Sequence, residues 1–181
     1  FGCNEQPIPK KTGYYRIDLP EKKYDRIDSI PFPFTFDLPQ YAEVNLKRTA
    51  EDPHFFNVDF RPFAARLHLS YIPVDTNLQQ LLEDSRELVF KHTIKAQDIR
   101  EKVYQNPAKK VYGIFYDISG NAASASQFFL TDSSRHFLRG ALYFNVTPNP
   151  DSLRPVSDFL DQDILHLMES FSWDQAPKDL K

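Results

Sequence analysis

The sequence predicts an α+β fold, an antiparallel sheet flanked by helices, on three observations. Short runs of alternating apolar residues fill the first half and return after residue 110, two longer stretches carry apolar residues at helical spacing, and strand-like runs lie on both sides of the first of those stretches.

The alternation starts with Phe34, Phe36 and Leu38, continues with Phe56, Val58 and Phe60, and then with Leu67, Leu69 and Tyr71. A period of two places each trio on one face of a strand. Pro31, Pro33, Pro39, Pro53 and Pro62 fall between these runs or at their ends, where a missing N–H does least harm to a ladder. Thr76 and Gln79 have the spacing of a capping box, and Leu78, Leu81, Leu82, Ser85, Leu88, Val89 and His92 form one stripe, so the spacing predicts a helix over 77–92. From Lys110 to Ile118 the chain returns to strand character, with Tyr112, Ile114, Tyr116 and Ile118 on one side and Val111 and Phe115 on the other, which predicts cover on both faces. Residues 127–131 and 136–146 are two β-rich runs around Asp132, Ser133 and Ser134, a polar turn that predicts a hairpin. Leu153, Val156, Leu160, Ile164, Leu167 and Phe171 predict a long closing helix, with Asp151 or Ser152 as its N-cap. This order of elements is similar to PsbP-type α/β/α sandwiches, a likeness that carries no function by itself.

The 181 residues fit one globular domain, expected over 13–181, after a lipobox remnant and tether over 1–12 that is rich in proline and lysine. The net charge of −3, with basic residues scattered among acids, predicts no nucleic-acid partner. No apolar run approaches the roughly 20 residues that cross a bilayer. The chain has one cysteine, Cys3, preceded by Gly2, and it starts on Phe1, as expected where a signal segment has been removed. Small residue followed by Cys is how a bacterial lipobox ends, so Cys3 is the expected lipidation site and the membrane the expected partner, through acyl chains contributing about 0.8 kcal/mol per buried methylene. An ordinary cysteine near the chain start is the other reading.

No catalytic residue is assigned and no cofactor is expected: the sequence contains no G-x-S-x-G elbow, no H-E-x-x-H and no glycine-rich phosphate loop, with five glycines in all. Asp161, Asp163, His166 and Glu169 form the densest group of metal-ligating types, but further ligands would have to come from elsewhere and none is evident, so a solvated helix face with a local ion pair stands beside the metal reading. His92 reads as a packed histidine or a ligand, and His68, on the strand face opposite Leu67 and Leu69, as solvated or covered by a helix. Both could line a pocket between sheet and helix, which keeps open a small-ligand or metal-binding periplasmic domain as the alternative function. Gly120, Asn121, Ala122, Ala123 and Ser124 are a run of small residues in a region crowded with aromatic side chains, read either as a tight turn or as an interaction surface.

Seven blocks of residues resemble one family. They are Gly13-Tyr14-Tyr15-Arg16-Ile17, Leu67-His68-Leu69-Ser70-Tyr71, Lys91-His92-Thr93-Ile94-Lys95-Ala96, Val111-Tyr112-Gly113, the Gly120–Ser124 run, Gln127-Phe128-Phe129-Leu130-Thr131-Asp132-Ser133, and His136-Phe137-Leu138-Arg139-Gly140-Ala141-Leu142-Tyr143-Phe144. With these blocks the chain resembles the gliding-motility-associated GldD lipoproteins of Bacteroidetes. The resemblance implies an envelope lipoprotein required for gliding and for type IX protein secretion, with no known enzymatic activity. It further implies other envelope proteins as partners, Cys3 as the acylated residue, and the small-residue run with the hairpin after it as candidates for the family's working surface. Members also occur in hosts that do not glide, so secretion is the broader role. One departure lies at Pro53-His54-Phe55-Phe56-Asn57, where Cys-Trp is expected in place of His54-Phe55. Asn4-Glu5-Gln6 lacks the acidic run expected of surface export, which favours an outer-membrane anchor with the domain facing the periplasm. Asp28-Ser29-Ile30 and Asp151-Ser152-Leu153 resemble a short O-glycosylation signal of the same phylum.

Overall fold

The computed structural model describes residues 18–46, 53–91, 96–120, 122–145 and 150–174, and of residues 96, 97 and 150–152 the backbone only. Cys3, the tether, the expected domain start at Gly13, His92, Asn121 and the Asp151 and Ser152 side chains lie outside that description. In chain order the elements are β1 (Tyr24–Ile27), β2 (Phe34–Pro39), β3 (Glu43–Asn45), β4 (Phe55–Phe60), β5 (Ala65–Pro73), α1 (Leu78–Lys91), β6 (Ala96–Asn106), β7 (Val111–Gly120), β8 (Ser126–Thr131), β9 (His136–Phe144), α2 (Pro150–Ser170) and β10 (Ser172–Trp173). The fold is the α+β arrangement that the sequence predicts.

Seven strands make one sheet ordered β3-β4-β5-β9-β8-β7-β6, and three make a second ordered β1-β2-β10. All pairings are antiparallel. Alternation sorts the large sheet into two faces. Val58, Leu67, Leu69, Phe115, Phe128, Leu130 and Leu142 point to the first face, where Phe34, Phe36 and Leu38 of β2 and the Leu160, Ile164 and Leu167 stripe of α2 complete the main core. Tyr116, Ile118, Phe129 and Phe137 point to the second, where α1 covers them through Val89 with Leu78, Leu81 and Leu82. β7 therefore has cover on both faces, as its two apolar rows predict. Phe32, Phe34, Phe56 and Phe171 are among the fully buried side chains. Their rings stack at centroid distances of 4.7 Å for Phe32–Phe56 and 5.2 Å for Phe34–Phe171, and a buried phenylalanine contributes roughly 1.5–3 kcal/mol. Gly140 is required by this packing, because a Cβ there would sit 2.2 Å from the Phe128 ring.

Three expectations need correction. The Thr76–Gln79 capping box is replaced: the Asn77 side chain accepts from the Asp75 N–H at 3.0 Å, and the Gln79 amide donates forward to Glu83 at 3.0 Å. The last hairpin strand ends at Phe144, two residues short of the expected span. Asp161 and Asp163 are 8% and 1% exposed and do not form a solvated face. α2 lies in a trough, with β2 on one flank and β7 and β8 beneath, so it buries more of its circumference than a single stripe. No described helix is long and apolar enough to cross a membrane.

Candidate functional site

Along the N-terminal half of α2, the end of β7 and the start of β8 leave a slot. Gly120 closes β7 with φ of 101°, a left-handed conformation that favours glycine. Ser124 is fully buried, and its hydroxyl donates to the carbonyls of Ser126 and Leu142, each at 3.0 Å, so it serves the turn from inside. Ala122 and Ala123 with Gly120 instead line a cavity of about 70 Å³, walled on the helix side by Leu153, Arg154 and Ser157. The small side chains make this slot, because a larger residue at either alanine would fill it.

Arg154 forms the far wall and belongs to a charged cluster. Its guanidinium donates to both oxygens of Asp117, at 3.0 and 3.1 Å, and pairs with Asp158 one helical turn away at 2.7 Å. Arg100 of β6 reaches the same Asp117 at 2.9 Å. Asp117 can meet both because it occupies a first-face position of β7, beneath α2 and across the strand pair from Arg100. Bidentate Arg–carboxylate geometry holds such a cluster more firmly than single surface pairs. Beyond it an open groove of about 490 Å³ runs between α2 and β6, lined among others by Lys102, Phe115 and Asp161. Burial pushes the Asp161 carboxyl up to about 7; the neighbouring Ser126 hydroxyl opposes this, and the Asp117 charge adds to it. Asp161 Oδ1 and Ser126 Oγ complete no hydrogen bond among the described residues.

Asp163 points the other way, as residues two apart on a helix must. Lys22 Nζ meets its Oδ1 at 2.5 Å and also donates to the Phe159 carbonyl at 2.8 Å, while the Tyr24 and Tyr41 hydroxyls donate to Oδ1 and Oδ2 at 2.8 and 2.5 Å. Burial, and then the hydrogen bond to Asp163, push both phenols well above the usual range. His166 stacks on the Tyr24 ring at 3.7 Å, and Glu169 is exposed. The Asp161, Asp163, His166 and Glu169 set is thus divided among three environments, and among the described residues no group of three or more ligands could hold a metal ion. His68 is exposed on the second face, its ring edge-on to Tyr143 at 5.3 Å.

The sequence singled out the small-residue run but missed the Arg100, Asp117, Arg154 and Asp158 cluster beside it. Asp117 was legible as the one acid inside an apolar strand; its two arginines lie 17 and 37 residues away in sequence and meet it only in the fold.

The chain matches the family described as gliding motility lipoprotein GldD over residues 4–173. The chain belongs to the GldD family. Membership in this lipoprotein family means anchoring to a membrane and association with the cell envelope. No curated protein matches this GldD-family chain. Among solved structures it is similar to the solution structure of cyanobacterial PsbP (CyanoP) from Synechocystis sp. PCC 6803, at a TM-score of 0.49 and 10% identity, with 86% of this chain and 95% of that chain covered.

Proposed function

We propose that the chain is a non-catalytic accessory or scaffold component of gliding motility and type IX protein secretion, anchored by lipid on Cys3 to the outer membrane with its domain in the periplasm. Membership in the GldD family supports the motility part of this reading. The observation that carries the binding role is the slot beside α2: Gly120, Ala122 and Ala123 leave room for an inserted apolar side chain, and the fixed Arg154 and Asp117 pair at its rim offers polar groups to orient it. Small residues give close approach and the charged rim gives register, as a docking surface requires. Asn121 belongs to the same proposed surface.

In-cell crosslinking from a photoreactive residue at Ala123, followed by identification of the adducts, tests this reading. Secretion or motility proteins of the envelope are the expected adducts, and Ala123→Trp should suppress gliding and secretion while the chain stays in the membrane fraction. Normal secretion with a folded Ala123→Trp chain, and adducts unrelated to the apparatus, would overturn it. Cys3→Ala tests the anchor separately, with release into the aqueous fraction as the expected result.

A further inference from the structure

The second face of the large sheet is covered by α1 over β7, β8 and β9 only in part. Where the cover stops, an open groove of about 360 Å³ lies over β4, β5 and β9, lined by Phe55, His68, Ser70, Arg139, Gly140 and Tyr143 among others. Arg139 is the unusual member. Its guanidinium is half-buried, and among the described residues its polar contact is to a neutral group, the Gln127 Oε1, at 2.9 Å. Gln127 is 1% exposed, so the amide that aims the fork is itself fixed in the sheet, and its Nε2 completes no hydrogen bond among the described residues. Desolvation pulls the guanidinium down from its ordinary value, with only the Tyr143 phenol acting the other way. A desolvated cation with no carboxylate among its described neighbours works against stability unless an anion completes it.

We infer that this groove is a binding site for a monocarboxylate with an aromatic or apolar flank, gripped at its carboxylate by Arg139. Charge complementarity chooses the anion. Among the described residues Arg66, a second cation near the groove, is already matched by Asp59 at 2.5 Å, which leaves the Arg139 charge uncompensated there and suits a monoanion over a doubly charged phosphate. Shape chooses the flank: Phe55 is 52% exposed at one wall and Tyr143 stands at another. The Ser70 hydroxyl and the His68 ring lie along the same wall, where each can donate a hydrogen bond. The inference stands apart from the scaffold reading, because the slot beside α2 lies on the opposite face.

Phenylacetate titrated into the full chain, followed by NMR, tests it, with phenylacetamide as the uncharged isostere and inorganic phosphate as the competing anion. Phenylacetate should shift the Arg139 Nε–Hε signal and the Ser70 and Gly140 amides saturably, with phenylacetamide at least about tenfold weaker. Arg139→Met should abolish saturation while keeping or raising the melting temperature, since it removes a desolvated charge. Arg139→Lys, which keeps the charge and loses the planar fork, should bind at least about fivefold more weakly. Equal shifts from phenylacetate and phenylacetamide, unchanged binding by the folded variant, or a fall in melting temperature on Arg139→Met would each overturn the site. Phosphate displacing phenylacetate at equal or lower concentration would overturn the carboxylate assignment.

Discussion

At the scale of single residues, the two aspartates of α2 are both buried but differ in how their charge is matched, and they should respond oppositely to substitution. Asp161 lacks a full set of partners. Its carboxyl titrates near 3.8 when unfolded and at about 7 when folded, so between those values the native chain binds the extra proton and stability falls as pH rises, levelling above about 7. The difference corresponds to at most about 4 kcal/mol. Asp161→Asn should therefore equal the parent near pH 4 and exceed it by a few kcal/mol at pH 8, as read by urea denaturation at several pH values; parallel stability curves would refute the assignment. Asp163 is the matched case. Asp163→Ala strands the Lys22 ammonium, whose side chain is 21% exposed, and two tyrosine hydroxyls, and should cost about 3 kcal/mol in the same measurement, since breaking a buried pair leaves its partner uncompensated. Both residues read as a solvated face in the sequence because helical periodicity reports the apolar stripe and not the trough in which the helix lies. Arg139 was equally hard to recognise: alternation places it on the face opposite Leu138 and Gly140, a normal position for a charge if that face is wet, and only the fold shows how little water and how few acids surround it.

At the scale of elements, the strands and helices with a strong period were legible and the edges were not. The trios around Phe36, Val58 and Leu69 each have one buried face, so their alternation survives in the sequence. β6 has no such signature. It is an edge strand whose Val103 is 63% exposed, and Arg100 and Lys102 take first-face positions beside α2, so charge appears where an interior strand would carry apolar residues. β1 is four residues long and β3 three, too short for a period to register. The β8–β9 hairpin was legible for a different reason, its turn chemistry. Asp132 Oδ1 accepts from the N–H groups of Ser134, Arg135 and His136 at 3.0, 2.7 and 2.9 Å, while Ser133 takes φ of 65°. Burial alone would raise the Asp132 carboxyl, and the three backbone donors overcome it to hold the carboxyl below 3.8. This lowered value makes its contribution complete above about pH 4 and lost as pH falls through the folded value. Asp132→Ala should lower stability by about 1 kcal/mol at pH 7 and by less at pH 3, because three backbone N–H groups of the turn lose a charged acceptor. Equal losses at the two values would show that the charge is not what the turn uses.

At the scale of the whole molecule, the question is whether the small sheet is an independent unit or part of one cooperative structure. β2 answers through its contacts. Phe34 and Phe36 belong to the main core with Phe56 and Leu69 of the large sheet, and α2 is packed against β2 along its length. β10 closes the circuit: Trp173 pairs with Phe34 in the small sheet, sits edge-on to Phe171 at 4.6 Å, and stacks on His136, the first residue of β9, at 5.1 Å. The His136 ring in turn shares a 2.7 Å hydrogen bond with the Tyr71 hydroxyl of β5, so the two sheets and the end of α2 meet at one aromatic junction. Burial pushes the Tyr71 phenol up to about 12, so the hydroxyl keeps its proton across the neutral range. Trp173 is the only tryptophan in the chain, and its fluorescence reports this junction alone, whereas far-UV circular dichroism reports all strands and helices together. A single cooperative domain requires the two urea transitions to superimpose in midpoint and slope. Trp173 fluorescence changing at lower urea than the dichroism would mean that β1, β2 and β10 peel away first, and the proposed single domain over 13–181 would then be two units joined through α2.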